Sequence, residues 1–207
     1  MTWSPHDSTI WIPEATRVRR PRDRGAARRA RPPSAAGHRR GGLVVGGAAI
    51  AATGVRGGRL APDVDSLTGD QEVLDEARLL AQDRGLPPEW LNPNAKMWMP
   101  PLPVGVLDPP GQPGLRVTYA DDGFLLATKL VAQRAKDAED IVALATRLRL
   151  LDATAEDLER HLRRYYTSQA NLEFIIDGTD IDAEITMLCR DASRMLGKVR
   201  DDIHGET

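Results

Sequence analysis

The stretch "LVVGGAAIAATGVRGGRLAPDVDSL", residues 43–67, contains the features on which the fold prediction depends. Its short apolar, β-branched beginning is typical of a buried strand. Two adjacent glycines, Gly46 and Gly47, follow this run, and the small residues "AAIAA" then predict a helix that ends at one of the later glycines. The segment "PDVDSL" predicts a second strand. The stretch therefore predicts a strand–turn–helix–strand unit.

Two aspartates in the second predicted strand form a candidate metal site. Because strand side chains alternate between faces, Asp63 and Asp65 are expected on one face with their Cα atoms roughly 7 Å apart. Carboxylates at this spacing can share Mg²⁺, which prefers oxygen ligands and completes its shell with substrate phosphates. Taken alone, a D-x-D pair is more often two solvated loop acids.

The glycine pair is a candidate phosphate site. Between a strand and a helix, Gly46 and Gly47 offer bare backbone N–H groups beside a helix N-terminus, where phosphate binds favourably. A tight packing turn is the alternative interpretation. A dinucleotide-binding turn is disfavoured, because "VGGAAIAATG" lacks the G-x-G-x-x-G spacing.

The charge of the chain is distributed unevenly. The formal net charge of the 207 residues is −2, but residues 1–40 hold ten arginines against three acids, and the remainder holds 18 basic and 27 acidic side chains. Residues 1–40 have few large apolar side chains to offset the entropy cost of ordering. We predict a basic leader outside the folded region. Three interpretations of this leader are open: a nucleic-acid-binding arm, a functionless disordered extension, and a segment that is not the natural N-terminus.

Cysteine content and hydropathy predict a soluble, cytoplasmic protein with no membrane partner. Cys189 is the single cysteine, so no internal disulfide can form, and its apolar helical setting predicts a buried, inert thiol. The longest apolar run, residues 43–55, has about 13 residues, whereas a bilayer span needs about 20. No apolar segment early in the chain resembles a signal peptide.

The rest of the chain predicts further elements. A helix is expected from Asp70 to the C-capping Gly85. A long proline-rich stretch containing Trp90, Met97, Trp98 and Met99 predicts a loop that packs on something. "LRVTYA" predicts a strand, and residues 121–150 predict one long helix. Two more helices are expected near the C-terminus, the first with a capping box at Thr154.

These elements predict an α+β fold in which a small mixed sheet is flanked by helices. We expect three regions along the chain. They are the leader (1–40), a main domain (41–150) and a helical C-terminal region (151–207).

The predicted long helix carries charges within its apolar face. At about 100° per residue, Asp137 falls in the middle of the leucine and isoleucine stripe, with Lys129, Arg134 and Asp140 on its flanks. A buried aspartate is costly unless it is paired or faces a polar site. A structural ion-pair network and a direct catalytic or nucleotide-binding role are both consistent with this pattern.

Taken in order, these motifs resemble a known family. "VVGGAAIAATGVRGGRLAPDVDSL", "GLPPEWLN" and "GLRVTYADDGFLLATKLVAQRAKDAEDIVAL" resemble bacterial nucleotidyltransferase-like proteins related to the toxin component of the AbiE abortive-infection system. The resemblance covers residues 42–166. It implies a polymerase-β-like fold and Mg²⁺-dependent transfer of a nucleotide from a nucleoside triphosphate to RNA or protein. It also implies a partner antitoxin.

The resemblance also implies roles for individual residues. Metal binding and catalysis fall to Asp63 and Asp65, further catalytic roles fall to Lys129 and Asp137, and nucleotide binding falls to Gly46, Gly47, Arg59 and Asp140. The sequence departs from the family pattern in three ways. Ala61 replaces the usual hydroxyl residue, the arginine-rich leader replaces an expected strand and helix, and no third carboxylate lies on a later strand. An inactive binding or scaffold protein with this fold is therefore the alternative.

Overall fold

The computed structural model describes residues 39–58 and 60–205, which form a four-stranded sheet and seven α-helices. The strands are β1 (Arg39–Val44), β2 (Val64–Leu67), β3 (Leu91–Asn92) and β4 (Gly114–Tyr119). The helices are α1 (Gly46–Ala52), α2 (Gln71–Arg84), α3 (Asp122–Ala132), α4 (Ala138–Leu148), α5 (Ala155–Tyr165), α6 (Gln169–Ile175) and α7 (Ile181–Gly205). Two 3₁₀ helices lie at Asn94–Trp98 and Ala135–Asp137. The predicted α+β class is confirmed.

The sheet is mixed, with the strand order β3-β2-β1-β4. β1 is antiparallel to β2 and parallel to β4, and β2 is parallel to β3. Just after β1, the backbone N–H of Val45 donates to the carbonyl of Asp65 at 3.0 Å. This bond holds the start of α1 against the predicted aspartate pair.

Local signals in the sequence account for the boundaries of two helices. The Asp70 side chain accepts from the N–H of Glu72 at the start of α2, and Gly85 ends it with φ of 66°. The predicted capping box at the start of α5 is present, because Thr154 and Asp157 bond each other's backbone reciprocally. Each cap satisfies backbone groups that the helix itself leaves without partners.

The first strand begins earlier than we expected. β1 begins at Arg39, so the last two residues of the predicted leader belong to the sheet, with Arg39 paired with Gly114 and Arg40 with Leu115. Arg40 also forms ion pairs with Asp70 and Glu72. Composition alone placed Arg40 in the leader, but in the structure these two acids compensate its charge. The interpretations of residues 1–38 concern a segment outside the described residues.

The single long helix predicted for residues 121–150 is wrong. The chain leaves the helix at Gln133, which has φ of 36°, passes through the 3₁₀ turn Ala135–Asp137 and restarts as α4. The side-chain amide of Gln133 donates to the carbonyl of Leu188 in α7 at 2.6 Å, which holds the break. Tertiary contacts therefore override a continuous helical pattern.

The core centres on α3, in which every residue from Gly123 to Leu130 is buried. A single cluster of buried apolar side chains extends from Leu43 in β1 to Leu196 in α7. The cluster includes residues on both sides of the predicted boundary between positions 150 and 151, and that boundary stays a prediction.

The C-terminal region contains one helix more than expected, α6, which begins at the capping Ser168. Cys189 in α7 is fully buried, and burial raises the pKa of its thiol to about 12. Both observations are those expected of an inert cysteine.

Among residues 39–58 and 60–205, no helix combines the length and the apolar composition needed to cross a bilayer.

His161 gives the stability of the fold a pH dependence. Its Nε2 lies 2.9 Å from the carbonyl oxygen of Gly123, and burial lowers the pKa of the imidazole. Between the lowered folded pKa and the unfolded pKa of about 6.5, the unfolded chain binds more protons, so stability falls as pH falls through this window. Uptake of one proton on unfolding changes the free energy of unfolding by at most about 1.4 kcal/mol per pH unit.

We expect the free energy of unfolding, measured by chemical denaturation between pH 7 and 5, to fall more steeply for the native protein than for His161→Gln. Equal slopes would contradict the assignment.

Candidate active site

The glycine turn and the second aspartate meet in the structure. Gly46 has φ of 62°, and a Cβ placed on it would lie 2.9 Å from Oδ2 of Asp65. Only glycine combines this left-handed backbone with such a close approach at little cost. The turn that the sequence predicted therefore lies directly against one of the two predicted metal ligands.

The Asp63 carboxylate lies close enough to Asp65 to influence the ionisation of Asp65. Partial burial raises the pKa of Asp65, and repulsion from the Asp63 carboxylate raises it further. The positive charges of Arg134 and Lys129 act in the opposite direction. Asp63 itself precedes β2 and is exposed, with Oδ2 accepting from Nδ2 of Asn92 at 3.4 Å. Two carboxylates and two cations therefore share one electrostatic environment.

A buried charge network lies beneath this pair. The Nζ of Lys129 is 2.5 Å from Asp137 Oδ1 and 3.1 Å from Asp140 Oδ2, and both aspartates are completely buried. Nε of Arg134 donates to Asp137 Oδ2 at 2.7 Å, and Arg56 pairs with Asp140 at 3.2 Å. Burial opposes ionisation of Asp137, but the hydrogen bonds from Arg134 and Lys129 outweigh it and hold its pKa below the ordinary carboxyl value.

A cavity of about 590 Å³ opens beside the network. Its polar lining comprises Gly46, Asp65, Asn94, Thr128, Lys129 and Arg134. Its apolar lining comprises Trp98, Met99, Val131, Ile175, Ile176 and Leu188, together with Ala95 and Ala132. The carboxylates of Asp177 and Glu184 complete it. A volume of this size is within the usual range for small-molecule sites.

The structure brings some of the predicted site residues to this cavity and not others. Gly46, Asp65 and Lys129 line it. Asp137 and Asp140 lie behind Lys129 as its ion-pair partners. Gly47, which lies within α1, and Asp63, which precedes β2, do not line the cavity. Arg59 lies outside the described residues.

Several lining residues were not predicted as site residues. Arg134 was noted only as a flank of the charged stripe, and Trp98 and Met99 only as packing residues of a proline-rich loop. Ile175 ends α6, Asp177 lies in the α6–α7 connection and Glu184 lies in the first turn of α7; their sequence shows no motif. Their position depends on how the C-terminal helices pack against α3, which local sequence does not encode.

The residues present fit Mg²⁺ only partially. Asp63 and Asp65 provide two carboxylates, which are sufficient for Mg²⁺ when substrate phosphates supply further ligands. In the portion of the chain that the structure describes, no three His, Cys, Asp or Glu side chains are grouped to hold a metal ion. An ion at this pair would therefore depend on the substrate for the rest of its coordination.

Comparison of the chain with family models, with curated proteins and with solved structures found no match. The resemblance to nucleotidyltransferases consequently stays a prediction from the motifs.

The buried network makes Asp137 important for stability. In Asp137→Ala, Lys129 would lose its closest partner and keep Asp140, so the cost is at most about 3–5 kcal/mol, the value for an uncompensated buried charge. We expect a loss of up to this size in the free energy of unfolding by urea denaturation. The control is Asp191→Ala, which breaks an exposed pair with Arg194 and should cost under about 1 kcal/mol. Equal losses in the two variants would show that the buried network contributes no more to the free energy of unfolding than an exposed ion pair.

Gly46 provides a second stability test. Alanine at this position would adopt a left-handed conformation, at about 1–2 kcal/mol, and would displace the Asp65 carboxylate. The matched control is Gly57→Ala, because a Cβ there meets nothing within 4 Å and no positive φ is required. We expect thermal unfolding to separate the two variants by several degrees. A Gly46→Ala protein as stable as the control would refute the close contact.

Proposed function

We propose that this protein is a Mg²⁺-dependent nucleotidyltransferase that uses the cavity beside Asp65 to bind a nucleoside triphosphate. The observation that supports the proposal most is the convergence of Gly46, Asp65, Lys129 and Arg134 on one cavity. Carboxylates that hold a divalent ion and cations that face phosphates are the groups that nucleotidyl transfer requires. A polymerase-β-like arrangement of the sheet belongs to this proposal.

The chain's own residues would divide the work. Asp63 and Asp65 hold Mg²⁺, which supplies charge neutralisation on the phosphates. Lys129 and Arg134 add positive charge on the cavity side. Asp137 is a positioning residue, since it bonds both cations and fixes their direction.

The biological setting that we propose rests on the motif resemblance. It is that of a cytoplasmic toxin or abortive-infection component, with RNA or protein as the acceptor and an antitoxin as the partner. The acidic balance of residues 41–207, 18 basic against 27 acidic side chains, gives no general attraction for nucleic acid, so RNA would need a local contact.

A nucleotide-binding protein without transfer activity is the second candidate. Two observations favour it: the Lys129 ammonium is engaged by two aspartates, and among the described residues no third carboxylate joins Asp63 and Asp65 as a metal ligand. Such a protein would bind a nucleotide and a partner, and it would release the nucleotide unchanged.

The transfer hypothesis is tested by replacing both aspartates. The full chain is incubated with Mg²⁺, each of the four α-³²P-labelled triphosphates, and total bacterial RNA or protein. We expect Asp63→Ala/Asp65→Ala to lower label transfer by at least about 100-fold, because the site loses both metal ligands.

The control variant is Asp83→Ala, which removes an exposed acid of α2 outside the cavity and should retain full activity. Undiminished transfer by the double variant would refute the catalytic assignment. Saturable nucleotide binding by the native chain without transfer to any acceptor would support the second candidate.

A further inference from the structure

Most of the apolar residues that line the cavity come from other segments of the chain than Lys129 and Asp65, although Val131 and Ala132 belong to α3; we call Trp98, Met99, Ile175 and Leu188 the apolar wall. Lys129 and Asp65 come from α3 and β2. Trp98 and Met99 come from the 3₁₀ helix and its C-cap, and Ile175 and Leu188 from α6 and α7. A nucleoside triphosphate has the same division, with charged phosphates at one end and a flat, weakly polar base at the other.

Trp98 is fixed in place and still partly accessible. Its backbone carbonyl accepts from the Tyr166 hydroxyl at 2.8 Å, and its ring lies 6.0 Å from that of Phe174 at a tilt of 34°. It nevertheless keeps 52% of its surface exposed while lining the cavity. The ring contacts Phe174 and its backbone is bonded to Tyr166, and a side chain restrained in this way loses less conformational freedom when a ligand stacks on it.

The same wall is unsuited to phosphates. Asp177 lines the cavity from the α6–α7 connection and Glu184 from the first turn of α7, and within residues 39–58 and 60–205 neither has an ion-pair partner. Two uncompensated carboxylates repel a triphosphate, whereas Lys129 and Arg134 attract it. The charges therefore favour an orientation with the phosphates towards Lys129 and Arg134 and the base towards Trp98.

We propose that the apolar wall is the base subsite of this cavity and that Trp98 stacks on the base. The proposal rests on the proposed function, because it takes a nucleoside triphosphate as the ligand. Stacking makes purines bind more tightly than pyrimidines, since a purine covers more of the indole. Helices α6 and α7, which lie outside the predicted main domain, thereby belong to the nucleotide site.

The experiment separates the base from the phosphates. Calorimetry with the full chain and Mg²⁺ measures the affinity for ATP, CTP and inorganic tripolyphosphate. We expect Trp98→Ala to weaken ATP binding about tenfold or more, in line with a lost base stack, and to leave tripolyphosphate binding unchanged. Trp98→Phe, which keeps an aromatic ring, should retain most of the ATP affinity. In the native chain ATP should bind more tightly than CTP, and this preference should disappear in Trp98→Ala.

Met97→Ala is the matched control. Met97 is next to Trp98 in the 3₁₀ helix, is 60% exposed and does not line the cavity, so its loss should leave all three affinities unchanged. Circular dichroism melting verifies that each variant is folded.

Four results would overturn the proposal. These are native ATP affinity in Trp98→Ala, a parallel loss of tripolyphosphate binding, an equal loss of ATP affinity in Met97→Ala, and equal binding of ATP and CTP by the native chain. Failure of the native chain to bind either ATP or tripolyphosphate would refute the proposed function as well. Stacking with no transfer would refute only the transfer.

Discussion

A lysine buried against two aspartates is the interaction on which the rest of the structure depends. Lys129 is 4% exposed, and Asp137 and Asp140 are completely buried. Charges removed from water in this way are tolerated only when geometry and additional hydrogen bonds compensate the lost hydration. Arg134 and Arg56 provide that compensation from the α3–α4 connection and from the turn after α1. The network therefore constrains the relative positions of α1, α3 and α4.

The same network connects the core to the cavity. Lys129 lies in the most buried helix and also lines the cavity, so its position is set by packing and its charge acts on Asp65. A flexible surface lysine would be drawn towards solvent, whereas this ammonium is held by carboxylates on its other side. The cost is that some of its charge is already neutralised. The transferase hypothesis requires that enough of the Lys129 charge still acts on phosphates in the cavity, whereas the binding-protein hypothesis does not.

The cavity joins two regions of the chain that the sequence had separated. Asp65, Lys129 and Arg134 come from the sheet, from α3 and from the α3–α4 connection, whereas α6, α7 and the segment between them contribute apolar side chains together with Asp177 and Glu184. The buried apolar cluster runs through both regions, so the C-terminal helices stabilise the fold and shape the site together. A function assigned to the main domain alone would omit one wall of its own cavity.

The sequence by itself determined what depends on neighbouring residues: the caps of α2 and α5, the glycine turn after β1, and the placement of Asp65 in the second strand, whereas Asp63 precedes that strand. These features follow from backbone preferences and from side chains that bond groups two or three positions away. Tertiary structure decided the break at Gln133, because no proline or glycine marks it and its amide is held by Leu188 far along the chain. It also decided the cavity wall of α6 and α7, because a wall between distant segments exists only after they have packed.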